Sequence, residues 1–457
     1  MNYGYKILIV PFICFFAQEA WSQQSALLET YVYEGLQNNL SLKQESLEIR
    51  KATEAIRQAK ALFYPSVTFA PTYSYAAGGR RLSFPVGDLL NPAYKTLNEL
   101  TGSNQFPTNI ENVNELLAPT NFHDTKISFK LSVYNPEIKY NYLIQKSLLS
   151  AQEAKRKVIE NELRYNIETA YYQYLQSVEA IRIYENGLKV LHELVSLNKK
   201  LVANHTATRD ILFSSEYEVS KLKQQLVEAE KNNEVAKAYF NFLLNRNLTD
   251  PILADTLLLT RGPAEGSLTN LTQLADHALA NRQELKQLDQ SIEASRQAVL
   301  LQERAAYWPS LFIGGNAGFQ GYGYTFKGQE YAIVQAGMTW DIFKGYERKS
   351  KIQQAKIQTE LLKTKQTEVE KQIELQATQA YYDFAAGMEA QQVAESGVLN
   401  AGQYFKIVDS RYRNGNLLLI EYIKARNDVL TAQLQLSVTR YETFVKKAML
   451  NKIVAEP

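Results

Sequence analysis

The sequence predicts a mainly α-helical protein with a small transmembrane β part, in which one architecture occurs twice. An aromatic-aromatic-Pro-Ser junction ends a helix at residues 63–66 and again at residues 307–310. Two strand-like segments and a very long helix follow each junction. Ala170-Tyr171-Tyr172 in the first long helix recurs as Ala380-Tyr381-Tyr382 in the second. An internal repeat must be recognised first, because each copy is one structural unit. The repeat indicates a protein that works through its shape rather than through a catalytic cluster.

Composition excludes several classes of protein. The chain has 457 residues, a net charge of +2 and 21% charged residues, so a nucleic-acid partner is not expected. No apolar run of the mature chain approaches the ~20 residues of a membrane-spanning helix. The histidines show no metal-ligand spacing, and the sequence has no phosphate-binding loop or nucleophile motif. We therefore expect no enzyme, with no catalytic residue, no cofactor and no metal.

Residues 1–22 have the pattern of a secretory signal peptide. Lys6 precedes an apolar stretch from Ile7 to Ala17, and Ala20-Trp21-Ser22 fits a small-x-small cleavage site. The alternative is an N-terminal anchor helix, although the apolar stretch is short for a membrane span. Cys14 is the one cysteine and lies in this stretch. The mature chain therefore has no cysteine and can form neither a disulfide nor a thiolate metal site.

The first repeat, residues 23–247, begins with an amphipathic helix at 27–63 and continues with two strands. Pro65 forces the residue before it out of helical geometry, and the hydrophobic period then changes from 3.6 to 2. The strands are predicted at 66–77 and 124–134. In the second strand apolar residues alternate with polar ones, which is typical of a membrane strand with one lipid-facing side. The lipid-facing residues are predicted to be Ile127, Phe129, Leu131 and Val133.

The second repeat, residues 270–457, has the same order of elements. A helix at 270–307 precedes strands at 310–322 and 331–343, which alternate in the same way. A half-buried strand of a soluble sandwich has the same period and is the alternative interpretation. Aromatic residues cluster where the strands end, as in membrane-interface girdles, and this favours membrane strands. Four strands cannot close a membrane barrel, and an open edge is not viable in lipid. We therefore expect the protein to oligomerise and pool its strands.

Two very long helices with coiled-coil periodicity follow the strands, at 137–203 and 346–413. Each is predicted to turn back at a short tip into a return helix, at 206–244 and 417–453. A linker at 248–269, which contains prolines and glycines, joins the two repeats.

One segment breaks the symmetry of the repeats. The loop predicted at 79–123 contains four prolines, whereas its counterpart spans only about Gly323 to Glu330. Long loops belong on the extracellular side of a membrane barrel. The sequence therefore predicts an extracellular loop here and gives no role for it.

The chain resembles the TolC family of outer-membrane efflux channels over essentially its whole mature length. The resemblance rests on the two aromatic-Pro-Ser junctions and on two further motifs. These are Ala278-Leu279-Ala280-Asn281-Arg282-Gln283-Glu284-Leu285 at the start of the second repeat and Arg411-Tyr412-Arg413-Asn414-Gly415 at a tip. The resemblance implies a homotrimer whose twelve pooled strands form one barrel and whose helices form a coiled-coil tunnel across the periplasm. It also implies docking to a periplasmic adaptor (membrane fusion) protein and to an inner-membrane transporter of the RND or ABC type, in a Gram-negative bacterium.

The resemblance further implies a gate at the periplasmic end. The gate tyrosine corresponds to Tyr412 and the first acidic residue of the pore to Glu421. Lys424 replaces the second acidic residue, and Leu417 stands where the family has an arginine, so the charge of the lumen differs here. The alternative for Glu421 and Lys424 is a solvated helix face. The residues expected to contact the adaptor are Asn204, His205, Thr206, Asn414, Gly415 and Asn416.

The function implied is a passive exit channel for multidrug efflux that is powered by another protein. Two alternatives remain open. One is the outer-membrane channel of a type I protein secretion system, and the other is a poreless periplasmic coiled-coil scaffold. The sequence identifies neither the cargo nor the particular adaptor and transporter.

Overall fold

The computed structural model of the chain describes residues 26–117, 120–255, 258 and 270–454. The signal peptide expected at 1–22 and most of the linker expected at 248–269 lie outside these residues. The chain divides into two compact units. The helical unit comprises residues 1–50, 150–289 and 363–457, and the sheet unit comprises residues 51–149 and 290–362.

The elements of the first half are mainly helical. The helices are α1 (Ala26–Asn38), α2 (Leu40–Ala61), α3 (Val86–Thr101), α4 (Pro136–Ala203) and α5 (Arg209–Leu244). The strands are β1 (Ser66–Tyr75), β2 (Arg81–Phe84), β3 (Val113–Leu116) and β4 (Asn121–Tyr134). The second half contains α6 (Leu271–Asn281), α7 (Gln283–Tyr307), β5 (Ser310–Tyr322), β6 (Glu330–Thr339), α8 (Glu347–Arg413) and α9 (Leu419–Val454). No helix in the described part of the chain has the length and apolar character needed to cross a membrane.

The main core of the helical unit lies where α1, α4 and α5 meet around Tyr171. The rings of Tyr31 and Phe240 lie 5.7 and 5.5 Å from the Tyr171 ring. The Tyr171 hydroxyl donates a hydrogen bond of 3.0 Å to the Leu253 carbonyl, which satisfies the one polar group of this buried side chain. Full burial of a large apolar side chain stabilises a fold by about 1.5–3 kcal/mol. The apolar positions of these helices therefore fix their packing.

The sheet unit is built on a four-stranded antiparallel sheet with the order β1-β4-β5-β6. Phe129 on β4 lies opposite Val67 on β1 and opposite Gly315 on β5, and Gly315 in turn lies opposite Val334 on β6. β1 and β6 are the edge strands, and neither has a second neighbour within the described part of one chain. Their outer edges therefore present unpaired backbone groups.

The helices predicted at 27–63 and 270–307 are each divided into two, which corrects both predictions. Asn39 interrupts the first, and its Oδ1 accepts a hydrogen bond of 2.8 Å from the Ser41 amide, as an N-cap residue does. Arg282 interrupts the second with φ −61° and ψ 126°, an extended conformation. The apolar spacing alone predicts one helix in each case, because it does not register a single non-helical residue.

Two further predictions need correction. The loop predicted at 79–123 contains α3 and a two-stranded sheet formed by β2 and β3. Its prolines did not exclude a helix, since Pro85 directly precedes α3 and Pro92 lies in it. The last strand ends at Thr339 instead of residue 343. Thr339 lies opposite Ser310, the first residue of β5, so the strand loses its partner there.

Candidate functional site

The four-stranded sheet has one mainly apolar face and one mainly polar face, because alternate side chains of a strand point to opposite sides. Phe312, Tyr331 and Ile333 are apolar or aromatic exceptions on the mainly polar face. The apolar face carries Val67, Phe69, Tyr73, Ile127, Phe129, Leu131, Ile313, Phe319, Val334 and Met338. The polar face carries Thr68, Thr72, Lys126, Ser128, Lys130, Asn316, Gln320 and Gln335. Many of the apolar side chains are exposed in a single chain. An exposed apolar surface of this extent marks contact with lipid or with another protein.

Three of the four residues predicted to face lipid share the apolar face: Ile127, Phe129 and Leu131. Val133 does not follow their alternation. The register shifts between Ser132 and Tyr134, so that Tyr134 lies opposite Leu311 and Val133 is the extra residue of a β-bulge. A bulge bends its strand and redirects its side chains, which the regular alternation could not predict.

Gly315 of β5 makes room for an aromatic ring of the neighbouring strand. A Cβ atom on Gly315 would lie 2.7 Å from the Phe129 ring and 2.4 Å from the Ile333 carbonyl oxygen. No side chain larger than hydrogen fits there without displacing the strands. Close packing therefore explains this glycine, in line with the usual meaning of glycine inside a strand.

A buried hydrogen bond joins the two repeats near the ends of the long helices. The Tyr412 hydroxyl on α8 donates to Asn198 Oδ1 on α4 at 2.7 Å. Both side chains are buried, and the Asn198 amide also donates to the Ile211 carbonyl at 3.4 Å. Burial raises the pKa of Tyr412 above its ordinary value. The hydroxyl therefore stays protonated and able to donate at physiological pH.

Apolar side chains surround this bond. The cluster consists of Leu191, Leu194, Leu222, Val408, Tyr422 and Ala425 together with Tyr412. The ring of Tyr422, on α9, lies 5.0 Å from the ring of Tyr412. The bond contributes about 1 kcal/mol, and a buried Asn198 left without its donor would cost about 1–3 kcal/mol. The cluster therefore ties α4, α5, α8 and α9 together at this level.

The six residues expected to contact an adaptor all lie at the two turns that end α4 and α8, and all six are exposed. We call residues 204–208 the first tip and residues 414–418 the second tip. At the first tip the Thr206 amide donates to the Leu201 carbonyl at 3.0 Å, and at the second the Asn416 amide donates to the Arg411 carbonyl at 2.9 Å. Both are six-to-one bonds of the Schellman helix ending.

The residue in the left-handed conformation differs between the tips. Gly415 has φ 75° at the second tip, and His205 has φ 58° at the first. Glycine adopts this region without strain, whereas a residue with a Cβ atom is strained there by about 1–2 kcal/mol. The two tips therefore have the same backbone conformation, and at the first tip His205 adopts it with backbone strain.

Glu421 and Lys424 lie on the exposed side of α9, whereas the residues between them, Tyr422 and Ile423, are buried. No ion pair joins either side chain to another residue in the described part of the chain. They are therefore not part of the buried Tyr412 cluster. Their exposure in a single chain fits a lumen-facing surface and a solvated face equally well.

Sequence reasoning missed the partner of Tyr412. Asn198 continues the apolar spacing of Leu191 and Leu194 on α4. A polar residue at a buried position of this series indicates a buried hydrogen-bond partner and could have identified Asn198. It also missed Arg426, which is buried and packs over the one interior glycine of α4. A Cβ atom on Gly187 would lie 2.7 Å from Arg426 Nη2. Burial lowers the pKa of this guanidinium, which remains charged.

The second half of the chain matches a known family. The sequence pattern described as "Outer membrane efflux protein" matches residues 274–455, which contain α8, the second tip and Tyr412. Residues 274–455 of the chain therefore carry the pattern of this family. An outer membrane efflux protein is a trimeric channel of the bacterial outer membrane that extends into the periplasm and serves tripartite efflux. The family consists of channels and not of enzymes.

Solved structures of outer-membrane channels share the fold of this chain over most of its length. OprN is 14% identical, with a TM-score of 0.74 and coverage of 95% of this chain and 91% of OprN. CmeC of Campylobacter jejuni is 15% identical, with a TM-score of 0.72 and coverage of 94% and 85%. The open state of MtrE of Neisseria gonorrhoeae is 14% identical, with a TM-score of 0.74 and coverage of 94% and 88%. No curated protein sequence matches the chain significantly.

Proposed function

We propose that this efflux protein is a homotrimeric exit duct for small molecules, closed at its tips by the Tyr412–Asn198 bond and opened when a periplasmic adaptor docks there. The buried bond of 2.7 Å is the observation that carries the proposal. It joins α8 to α4 close to both tips, so the two helical hairpins cannot separate there while it holds. No catalytic group is needed, because the energy comes from an inner-membrane transporter.

The internal repeat supports the contacts that a trimer requires. Residues 210 positions apart are equivalent, as Asn204 and Asn414 at the two tips are. Tyr172 on α4 is 6% exposed, whereas its equivalent Tyr382 on α8 is 60% exposed. Ile183 and Val393 differ in the same way, with 6% and 67% exposed. Side chains that are buried on α4, Tyr172 among them against Phe444 of α9, thus have equivalents on α8 that remain apolar but uncovered.

The surface that would cover α8 is also present. Within one chain, Phe444 on α9 stacks on Tyr172 with a ring distance of 5.1 Å. The helix equivalent to α9 is α5, and it exposes the apolar side chains Phe213, Tyr217, Val227, Val235 and Tyr239. We infer that α5 of one copy packs on α8 of the next as α9 packs on α4. Three copies would then close a ring of equivalent contacts.

The apolar face of the sheet is proposed to contact lipid, with Ile127, Phe129 and Leu131 among its residues. The unpaired edges of β1 and β6 support pairing between neighbouring copies, because an open edge is not viable in lipid. Twelve strands from three copies would then form one barrel. Lys126 and Lys130, on the opposite face, would line its lumen.

The tips are proposed to bind the adaptor through Asn204, His205, Thr206, Asn414, Gly415 and Asn416. Leu418 in the second tip and Ile420 just after it are exposed and would add apolar contact. Glu421 and Lys424 are proposed to face the pore next to this contact. Their opposite charges make this part of the lumen neither strongly acidic nor strongly basic.

Photo-crosslinking in cells from Asn414 tests the docking step. We expect capture of an adaptor together with a proton-driven RND-type transporter. The matched control position is Tyr33, an exposed tyrosine on α1. Capture of an ATP-driven ABC-type exporter would reassign the channel to protein secretion. Equal capture from Asn414 and from the control position would contradict docking at the tips.

A further inference from the structure

The segment between β1 and β4 is a folded module and not a flexible connection. We call residues 76–117 the insert. The Asn98 side chain holds Phe106 by two hydrogen bonds, with Nδ2 donating to the Phe106 carbonyl at 2.8 Å and Oδ1 accepting from its amide at 3.0 Å. Asn91 holds Ile110 in the same way at 2.9 and 2.8 Å. Two asparagines spaced two turns apart on α3 thus clamp the returning chain along one side of the helix.

The close approach of the chain at the start of α3 confirms that this contact is tight. A Cβ atom on Gly87 would lie 2.0 Å from the Ile110 carbonyl oxygen. The Asp88 amide donates to Asn112 Oδ1 at 3.0 Å, and Asn112 Nδ2 donates to the Asp88 carboxylate at 2.9 Å. The surface that α3 presents on its other sides is therefore preorganised.

Those other sides of α3 are chemically different from each other. At 100° per residue, Leu89, Leu97 and Leu100 lie within one arc of the helix, and Asp88, Lys95 and Glu99 lie in the opposite arc. All three leucines are exposed in a single chain, Leu89 by 63% and Leu100 by 78%. We call this row of leucines the leucine stripe. A rigid helix with an uncovered leucine stripe indicates a partner surface.

We propose that the leucine stripe packs against the insert of a neighbouring copy, so that three inserts form a collar on the end of the barrel from which they project. This inference rests on the trimer proposed above. The insert continues directly from β1, whose free edge is the one that must pair with β6 of the next copy. The collar would therefore extend an interface that closure of the barrel already requires.

The charge of the insert argues against a lipid surface as the partner. Residues 76–117 contain three basic and four acidic residues, which gives a net charge of −1. Helices that lie on a membrane surface carry lysine and arginine on their polar side, which attract anionic headgroups. The polar arc of α3 has one lysine against two acidic residues. The insert of a second copy needs no basic surface. It carries the same leucine stripe and therefore offers an apolar surface for this one to pack against.

Photo-crosslinking from two adjacent positions on α3 tests the collar. A photoreactive residue at Leu100 lies in the leucine stripe, whereas one at Glu99 lies in the polar arc of the same helix. We expect covalent dimers and trimers of this chain from position 100 and none from position 99, with the attachment point inside the insert of the other copy. Crosslinks from position 100 to lipopolysaccharide or to a different protein, no crosslink at all, or equal yields from both positions would overturn the collar.

A second pair of variants keeps the collar testable if the photoreactive residue disturbs assembly. Leu89→Ser with Leu100→Ser should lower the temperature at which the detergent-solubilised trimer dissociates. The charge-neutral control, Lys95→Ser with Glu99→Ser, should leave it unchanged. Equal temperatures for the two double variants would contradict the collar. If the unsubstituted protein formed no trimer in detergent, the homotrimer itself would be refuted. Failure of the collar and failure of the homotrimer are therefore distinguishable.

Discussion

The hydroxyl of Tyr412 and the side-chain oxygen of Asn198 form a buried bond between the two repeats, although 214 residues separate them in the chain. Neither side chain ionises near neutral pH, since burial raises the pKa of the tyrosine further. The bond lies among apolar side chains, where an unpaired polar atom is costly. The ends of α4 and α8 are thus held together by a polar contact that has one specific geometry.

Replacing His205 by glycine should stabilise the first tip. His205 is exposed and has φ 58°, so the substitution removes strain without removing a buried contact. Strain relief of about 1–2 kcal/mol is partly offset by the greater freedom of glycine in the unfolded chain, about 0.5–1 kcal/mol, so a net gain of roughly 0.5–1 kcal/mol is expected. Thermal unfolding followed by helical circular dichroism should show a higher midpoint. The reciprocal change, Gly415→Ala, should lower it, and a fall for His205→Gly would refute the strain.

A crosslink between copies should form at a position that the repeat specifies. Within one chain Tyr172 stacks on Phe444. The positions 210 residues away are Tyr382 and Glu234, which should meet between neighbouring copies. Cysteines at these two positions should give covalent dimers and trimers with a short bis-maleimide, because the one native cysteine, Cys14, lies in the predicted signal peptide.

The matched control for this crosslink places cysteines at Tyr172 and Phe444. They should react within a single chain and leave it monomeric on a denaturing gel. The reverse pattern, with intramolecular reaction at Tyr382 and Glu234, would show that α5 does not pack on α8 of another copy.

An arginine at Phe129 should impair assembly of the barrel. Phe129 lies on the apolar face of β4, and a lipid-facing arginine near the bilayer midplane costs about 2–4 kcal/mol. The neighbouring variant Ser128→Arg places the same charge on the polar face and should assemble. The yield of heat-sensitive trimer in membranes measures both. Equal yields would mean that the apolar face does not contact lipid.

Local patterns in the sequence predicted most of the elements. The change of period after Pro65 located the first strand, and the alternation in β4 assigned Ile127, Phe129 and Leu131 to one face. Both signals arise from neighbouring residues, so they can be recognised without knowledge of the fold. The recurrence of Ala170-Tyr171-Tyr172 likewise revealed the repeat.

Features that depend on distant parts of the chain could not be predicted in the same way. The partner of Tyr412 lies on another helix, and the bulge at Val133 depends on the register with β5. The helix break at Asn39 depends on its side chain capping the next helix, because the apolar spacing continues across it. In the insert, prolines predicted a loop, but the clamps formed by Asn91 and Asn98 determine its fold.

The conductance of the purified trimer in planar bilayers tests the proposed gate most directly. Tyr412→Phe removes only the hydroxyl, whereas Tyr412→Ala also removes the ring, and Tyr33→Phe is the control at an exposed tyrosine. Three bonds of about 1 kcal/mol, one in each copy, correspond to roughly a hundredfold change in the ratio of open to closed channels. We predict a mostly closed unsubstituted channel, a strongly increased open fraction for Tyr412→Phe and a larger increase for Tyr412→Ala. An open fraction of Tyr412→Phe equal to that of Tyr33→Phe would contradict the assignment of this bond as the gate.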